Sequence, residues 1–94
     1  MDFFLKNLEE TLGAINKLID NNIPVVNTKS VRRCNKVKST DRSKINFIWR
    51  TLEYLESKGT LAYNGKVKPK SYKIVATKKI DIPEFIEQIK INRK

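Results

Sequence analysis

Apolar residues near the start of the chain recur at three- and four-residue steps, which is the spacing of one helix face. They are Phe4, Leu5, Leu8, Leu12, Ile15 and Ile19. The pattern predicts a helix over residues 2–21, with Asp2 as its N-cap. Pro24 prevents the helix from continuing. Gly13 costs about 1 kcal/mol relative to alanine inside a helix, so we expect it to mark a close packing contact.

Two further helices are predicted after a short extended edge segment that includes Val25 and Val26. The first covers residues 28–36 with Asn27 or Thr28 as its cap, and it turns Val31 and Cys34 toward the core. The second covers residues 40–58 and begins at Ser39, Thr40 or Asp41. Its predicted core stripe consists of Ile45, Ile48, Trp49, Leu52 and Leu55.

The periodicity changes after Gly59, which suits the left-handed position that follows a helix. Aromatic and β-branched residues then predict a hairpin over residues 60–76. Asn64-Gly65 is a turn dipeptide, and Pro69 suits the tip because it lacks an amide donor. Asp81 is expected to cap a last helix over residues 82–91. Its apolar side is Ile82, Phe85, Ile86 and Ile89.

The distribution of charge indicates the type of partner. The chain carries 20 basic and 10 acidic residues, and the basic ones are concentrated in two segments. Residues 29–50 hold eight basic side chains and one acid, and residues 60–79 hold six basic side chains and none. The remaining segments are slightly acidic. Two separate basic blocks indicate a polyanion partner, since lysine and arginine neutralise phosphates and release counterions.

The composition also excludes several functions. The chain has no histidine and one cysteine, so histidine metal sites, Cys₄ zinc sites, catalytic triads and Cys–His dyads are excluded. We therefore expect no enzymatic activity, no catalytic residue, no metal and no cofactor. No run of 18 apolar residues and no leader pattern is present. The expectation is a single cytoplasmic, nucleoid-associated domain over residues 1–94 without a membrane partner.

The order helix, extended segment, helix, turn, helix, hairpin, helix resembles the winged helix-turn-helix family. The most similar stretch is Ile45-Asn46-Phe47-Ile48-Trp49-Arg50-Thr51-Leu52-Glu53-Tyr54-Leu55-Glu56-Ser57-Lys58-Gly59-Thr60-Leu61. It is similar to the family's recognition helix followed by the first wing strand. The resemblance implies an α+β fold with a three-helix core, a β-hairpin wing and an additional C-terminal helix. It also implies that the helix over 40–58 enters the major groove while the wing touches the DNA.

The DNA-binding residues expected on the third helix follow from its geometry, because a helix about 10–12 Å across fits a major groove about 12 Å wide. The side opposite the core stripe carries Ser39, Ser43, Asn46, Phe47 and Arg50. Arg50 suits guanine and Asn46 suits adenine, although Arg50 is equally suited to a phosphate. Phe47 points outward, where it either touches thymine methyl groups or packs under the hairpin; we favour packing.

Other basic and hydroxyl side chains are expected to hold phosphates. Arg42, Lys44 and Thr40 accompany the third helix, and the hairpin contributes Lys66, Lys68 and Lys70. The opposite flank is assigned to Arg32, Arg33, Lys36 and Lys38. Trp49 is expected in the core, Cys34 as a small core residue, and Asp41 as a cap rather than a catalytic acid.

Helix-turn-helix proteins commonly dimerise so that two recognition helices meet successive major grooves. The acidic and neutral chain ends are the candidates for such a contact here. We expect a homodimer whose interface includes Phe3, Phe85, Ile89 and Ile91.

The expected function is sequence-preferring binding of double-stranded DNA, as a homodimeric transcriptional regulator, usually a repressor. The first alternative is a partition protein that spreads on a plasmid or chromosome and engages a motor or adaptor. The chain is also similar in size and layout to small winged-helix proteins of archaeal plasmids and viruses. The second alternative is a basic interaction module for RNA or an acidic protein.

Overall fold

The computed structural model describes residues 3–67, 70–76 and 78–92, with all side chains in these ranges except those of Phe3, Lys66, Val67 and Asn92. The described chain forms four helices and a three-stranded antiparallel sheet, which is an α+β arrangement. The helices are α1 (Phe3–Asp20), α2 (Thr28–Asn35), α3 (Arg42–Ser57) and α4 (Ile82–Asn92). The strands are β1 (Val25–Asn27), β2 (Leu61–Val67) and β3 (Lys70–Ile74).

The core lies where the apolar faces of the helices meet the sheet. α1 contributes the largest share, as its stripe from Leu8 to Leu18 is buried along the helix. Leu52 and Leu55 of α3, Val31 of α2, and the strand residues Val26, Leu61 and Tyr72 complete the cluster. The periodicity of the sequence therefore predicted the inner faces of α1 and α2 correctly.

The strands lie in the order β1-β3-β2, so the short segment after α1 forms an edge, as predicted. Val26 of β1 and Tyr63 of β2 both lie opposite Tyr72 in the central strand. Tyr72 is fully buried there. These pairs join β1, which lies between α1 and α2 in the sequence, to the hairpin that follows α3.

The hairpin differs from the sequence prediction in the position of its turn. Asn64 and Gly65 lie inside β2, where an irregularity separates the pairs Tyr63↔Tyr72 and Val67↔Lys70. Gly65 has φ of +82°, which glycine adopts without strain. The Asn-Gly dipeptide thus accommodates a bulge. Pro69, the predicted tip residue, lies outside the described residues.

Side-chain hydrogen bonds attach the last helix to the first. The Nδ2 of Asn16 donates to the carbonyl of Ile80 at 3.0 Å, and the amide of Ile80 donates to the Oδ1 of Asn16 at 2.7 Å. The amide of Glu84 donates to the Oδ1 of Asp81 at 3.2 Å, which confirms Asp81 as the cap of α4. The segment before α4 is therefore held against α1.

Two expectations about α1 have different outcomes. Its predicted cap, Asp2, lies outside the described residues. The prediction that Gly13 marks a close contact is wrong, because a Cβ placed there would meet nothing within 4 Å.

None of the helices in the described part of the chain is long and apolar enough to cross a membrane.

Candidate nucleic-acid interface

The basic segment before α3 is held in place by local capping at both ends of α2. The Oδ1 of Asn27 accepts a hydrogen bond from the amide of Ser30 at 2.8 Å, and the Oγ of Ser30 accepts one from the amide of Asn27 at 2.9 Å. This reciprocal pair identifies Asn27, one of the two predicted candidates, as the cap of α2.

The end of α2 is a left-handed turn at Lys36, which has φ of +54°. The amide of Lys36 donates to the carbonyl of Arg33 at 3.4 Å, and the amide of Val37 donates to the carbonyl of Arg32 at 3.0 Å. These two bonds form the Schellman pattern, in which glycine is the usual left-handed residue. A lysine in this position directs a charged side chain into solvent between α2 and α3.

Asp41 caps the N-terminus of α3, where its Oδ1 accepts a hydrogen bond from the amide of Lys44 at 3.1 Å. Its carboxylate is therefore occupied as a helix cap, the role that the sequence predicted. Of the three candidates for this cap, Asp41 is the one that the structure uses.

The side of α3 that was expected to meet DNA is open to solvent. Of the residues that were expected to contact DNA from the helix and the turn before it, those with exposed side chains are Ser39, Thr40, Arg42, Ser43, Asn46 and Arg50. On the flank contributed by α2 and the following turn, Arg33, Lys36 and Lys38 are also exposed. Arg32 is half-buried, and its Nε lies among protein atoms rather than at the surface.

Contrary to what was expected of it, Lys44 does not present a free charge to a phosphate. Its Nζ lies 2.7 Å from a carboxylate oxygen of Glu10 on α1, and only 26% of its side-chain surface is exposed. The helical phase explains this position, because Lys44 points about 30° from the mean direction of the buried residues Ile48, Thr51, Leu52 and Leu55. Its charge is already paired within the protein.

The expectation that Trp49 lies in the core is also wrong, because its side chain is 45% exposed. Its place in the inner stripe is taken by Thr51, which is fully buried and donates its hydroxyl to the carbonyl of Phe47 at 2.7 Å. The hydroxyl is satisfied within the helix, so a threonine can be buried there. Trp49 points about 110° away from the mean direction of the buried stripe.

The remaining apolar residues of α3 are half-buried. Ile45, a predicted core residue, and Phe47, for which packing was favoured over thymine contact, both have this intermediate exposure. On the α1 side of the helix, the ring of Tyr54 meets that of Phe4 edge-on, with the two centroids 5.1 Å apart.

The charge of α3 changes along its length. Its first nine residues carry the exposed Arg42 and Arg50, whereas its last five residues carry Glu53 and Glu56. A polyanion is therefore favoured at the N-terminal half of α3 and at the turn from α2, and is disfavoured at the C-terminal end.

Of the three hairpin lysines that were predicted to hold phosphates, Lys70 is the one whose side chain the structure describes. The Nζ of Lys70 lies 5.5 Å from the ring centroids of both Tyr63 and Tyr72. Interaction with the Tyr72 hydroxyl raises the pKa of Lys70, and the charges of Glu53 and Glu56 raise it further. Lys70 is therefore protonated at neutral pH. The side chains of Lys66 and Lys68 lie outside what the structure describes.

The residues predicted to form a dimer contact are not brought together as one exposed patch. Ile89 is 7% exposed and Phe85 is half-buried, because the apolar face of α4 packs against the chain's own core. Ile89 is therefore not accessible to a second chain, which corrects that expectation. Ile91 lies off this face and is 56% exposed. The side chain of Phe3 lies outside the described residues.

The site that results is a surface rather than a pocket. It consists of exposed positive and hydrogen-bonding side chains on α3 and the turn before it, which suits an extended anion better than a small ligand. Within the described ranges, no group of three or more acidic or cysteine side chains is placed to hold a metal ion. Comparison of the chain with protein-family models, curated proteins and solved structures finds no match.

Proposed function

We propose that this chain is a double-stranded DNA-binding protein of the winged helix-turn-helix type. The observation that carries the proposal is the exposed face made by the turn after α2 and the N-terminal half of α3. It combines free positive charge with amide and hydroxyl groups, which are the side-chain types that contact phosphates and base edges. In this proposal α3 lies in the major groove.

The arrangement of elements supports the proposal. Two helices joined by a short turn precede a hairpin, and the N-terminal residues of the second helix are exposed. Helix-turn-helix proteins place the N-terminal residues of their second helix against base edges. β1 pairs with the hairpin strand β3, so the three helices and the hairpin share one core. The hairpin takes the place of the wing.

Arg50 and Asn46 are proposed as the base contacts, because both are exposed and lie nearly opposite the buried stripe of α3. Arg33, Lys36, Lys38 and Arg42 are proposed as phosphate contacts. The biological role that we propose is transcriptional regulation by occupying a DNA site.

The test is the affinity for a fluorescently labelled DNA duplex, measured by anisotropy for the wild-type protein and for Arg50→Ala. The variant is expected to bind a preferred sequence about 1–3 kcal/mol more weakly and to discriminate less between sequences. Lys90→Ala removes an equal charge from the exposed surface of α4 and is expected to bind almost normally. Equal affinities of Arg50→Ala and the wild type would contradict the placement of α3 in the groove.

Competition separates DNA binding from a general attraction to polyanions. An unlabelled duplex is expected to displace the labelled one more effectively than structured RNA or heparin at the same charge concentration. Equal displacement by all three would instead favour the basic interaction module. Footprinting then addresses the biological role, because a regulator protects one discrete site whereas a spreading partition protein extends its protection as its concentration rises.

A further inference from the structure

Trp49 is a large aromatic side chain left 45% exposed on the helix that is proposed to meet DNA. It is the only tryptophan of the chain. Isolated apolar residues at a protein surface are common, so exposure alone does not indicate a contact. The position of Trp49 among charged neighbours is what gives its exposure a meaning.

The neighbours of Trp49 on the helix surface are positive or polar toward the N-terminus of α3. Asn46 lies one turn earlier and Arg42 two turns earlier on the same side, and both are exposed, whereas Glu53, one turn later, is half-buried. An apolar surface with a free arginine on its N-terminal side favours an anionic partner there, because an approaching acidic group pairs with the arginine while the indole is covered.

Trp49 lies at the edge of the exposed face of α3. It points within about 60° of the direction of Asn46 and about 110° from the mean direction of the buried stripe. Trp49 therefore lies between the exposed face of α3 and the buried side of the helix.

We infer that Trp49 is a DNA contact whose indole is covered by the sugar–phosphate backbone of the bound duplex at the edge of the exposed face of α3. The inference rests on the proposed function and adds a residue that was assigned to the core. The indole Nε1–H is a donor and suits a phosphate oxygen. The apolar ring suits the deoxyribose. The contact is with the backbone, so it contributes affinity without base preference.

The size of the effect follows from the exposed area. A buried aromatic side chain covers about 150–250 Å², and covering about half of the exposed part of Trp49 is worth roughly tenfold in affinity. Trp49→Ala is therefore expected to weaken binding about tenfold on every duplex sequence. Trp49→Phe keeps an aromatic ring but lacks the N–H donor, and it is expected to lose less.

The experiment measures two signals in one titration of the full chain with a labelled duplex of random sequence. Anisotropy of the label reports DNA binding, and the emission of the single tryptophan reports what covers Trp49. Tryptophan emission is expected to change with the same midpoint as the anisotropy, and quenching by acrylamide is expected to decrease. Ile23→Ala, at a residue 44% exposed beside β1, is the matched control and is expected to bind normally.

The outcomes distinguish this inference from the proposed function. Anisotropy that rises while tryptophan emission and acrylamide quenching stay constant would overturn the contact and leave DNA binding intact. A chain that binds no duplex would overturn both. Protection of Trp49 that depends on protein concentration without DNA would assign this surface to a second copy instead. If Trp49→Ala does not fold, Trp49→Phe and the wild-type titration decide.

Discussion

At the scale of single residues, the positive charge that α3 presents to solvent depends on which of its basic side chains already form ion pairs within the protein. Lys44 and Arg42 are two positions apart and carry the same charge, but only Arg42 points into solvent. Lys44 faces α1, where Glu10 lies within 2.7 Å of its ammonium. A charge that is paired inside the protein adds little to the attraction for a phosphate, so the two residues have different roles.

This difference gives a prediction at the residue scale. Lys44→Met is expected to lower the free energy of unfolding by about 0.5–1 kcal/mol, because it removes a partly exposed ion pair. Its affinity for a DNA duplex is expected to stay close to that of the wild type. Arg42→Met is expected to show the reverse, with weaker binding and stability within about 0.5 kcal/mol. Urea denaturation and anisotropy measure the two effects.

A larger loss of duplex affinity in Lys44→Met than in Arg42→Met would contradict this assignment. Such a result would mean that the pair with Glu10 opens when the DNA binds.

At the scale of elements, the end of α2 combines a conformational cost with an exposed positive charge. A non-glycine residue in the left-handed region costs about 1–2 kcal/mol relative to the right-handed one, and Lys36 occupies that region with φ of +54°. Gly59 and Gly65 occupy left-handed positions after α3 and within β2 without this cost, and Asn22 after α1 is a second non-glycine residue in this region. The lysine at position 36 is thus less favourable for stability than glycine, while its exposed charge favours anion binding.

Lys36→Gly is therefore expected to have two opposite effects. The free energy of unfolding should rise by about 0.5–1 kcal/mol, since the relief of strain exceeds the entropy that glycine loses on folding. DNA affinity should fall, because one phosphate contact is removed. Lys36→Ala is the matched control, as it removes the same charge without relieving the strain. Thermal denaturation and anisotropy on both variants test the expectation.

Equal stability of Lys36→Gly and Lys36→Ala would show that the turn is not strained at this position. Normal DNA affinity in both variants would place Lys36 outside the interface.

At the scale of the whole molecule, α2, the turn and the start of α3 form a basic surface with few acids. The basic side chains exposed there are Lys29, Arg33, Lys36, Lys38, Arg42 and Arg50. α1 and α4 carry acids among their basic residues, and one of these acids pairs across the surface, where Asp20 lies 2.9 Å from Lys79. A basic surface on an otherwise mixed molecule supports the proposed polyanion partner.

The salt dependence of DNA binding reports how many phosphates the whole basic surface contacts. The four proposed phosphate contacts predict that log K falls with log salt with a slope of about −4, or about −5 if Arg50 also contacts a phosphate. Arg50→Ala keeps this slope if Arg50 contacts a base, and it reduces the slope by about 1 if Arg50 contacts a phosphate. A wild-type slope near −1 would contradict the phosphate assignment as a whole. The measurement is anisotropy at several salt concentrations.

The sequence by itself determined the order of the elements and most of their ends, because these depend on local physics. Hydrophobic periodicity located α1 to α4, and the capping residue Asp81 marked where α4 begins. The left-handed preference of glycine marked the end of α3 at Gly59. The exposure of Arg50 and Asn46 also followed from the helical period alone.

Only the tertiary structure decided which side of each helix is covered near the edges of its apolar stripe. Trp49, which was expected in the core, is exposed while Thr51 is buried, because the direction of the core depends on where the neighbouring elements pack and not on side-chain polarity. The pairing of Lys44 with Glu10 joins residues 34 positions apart, which no local pattern reveals. The faces of α4 and the place of Gly65 in a bulge likewise depend on contacts made after the chain has folded.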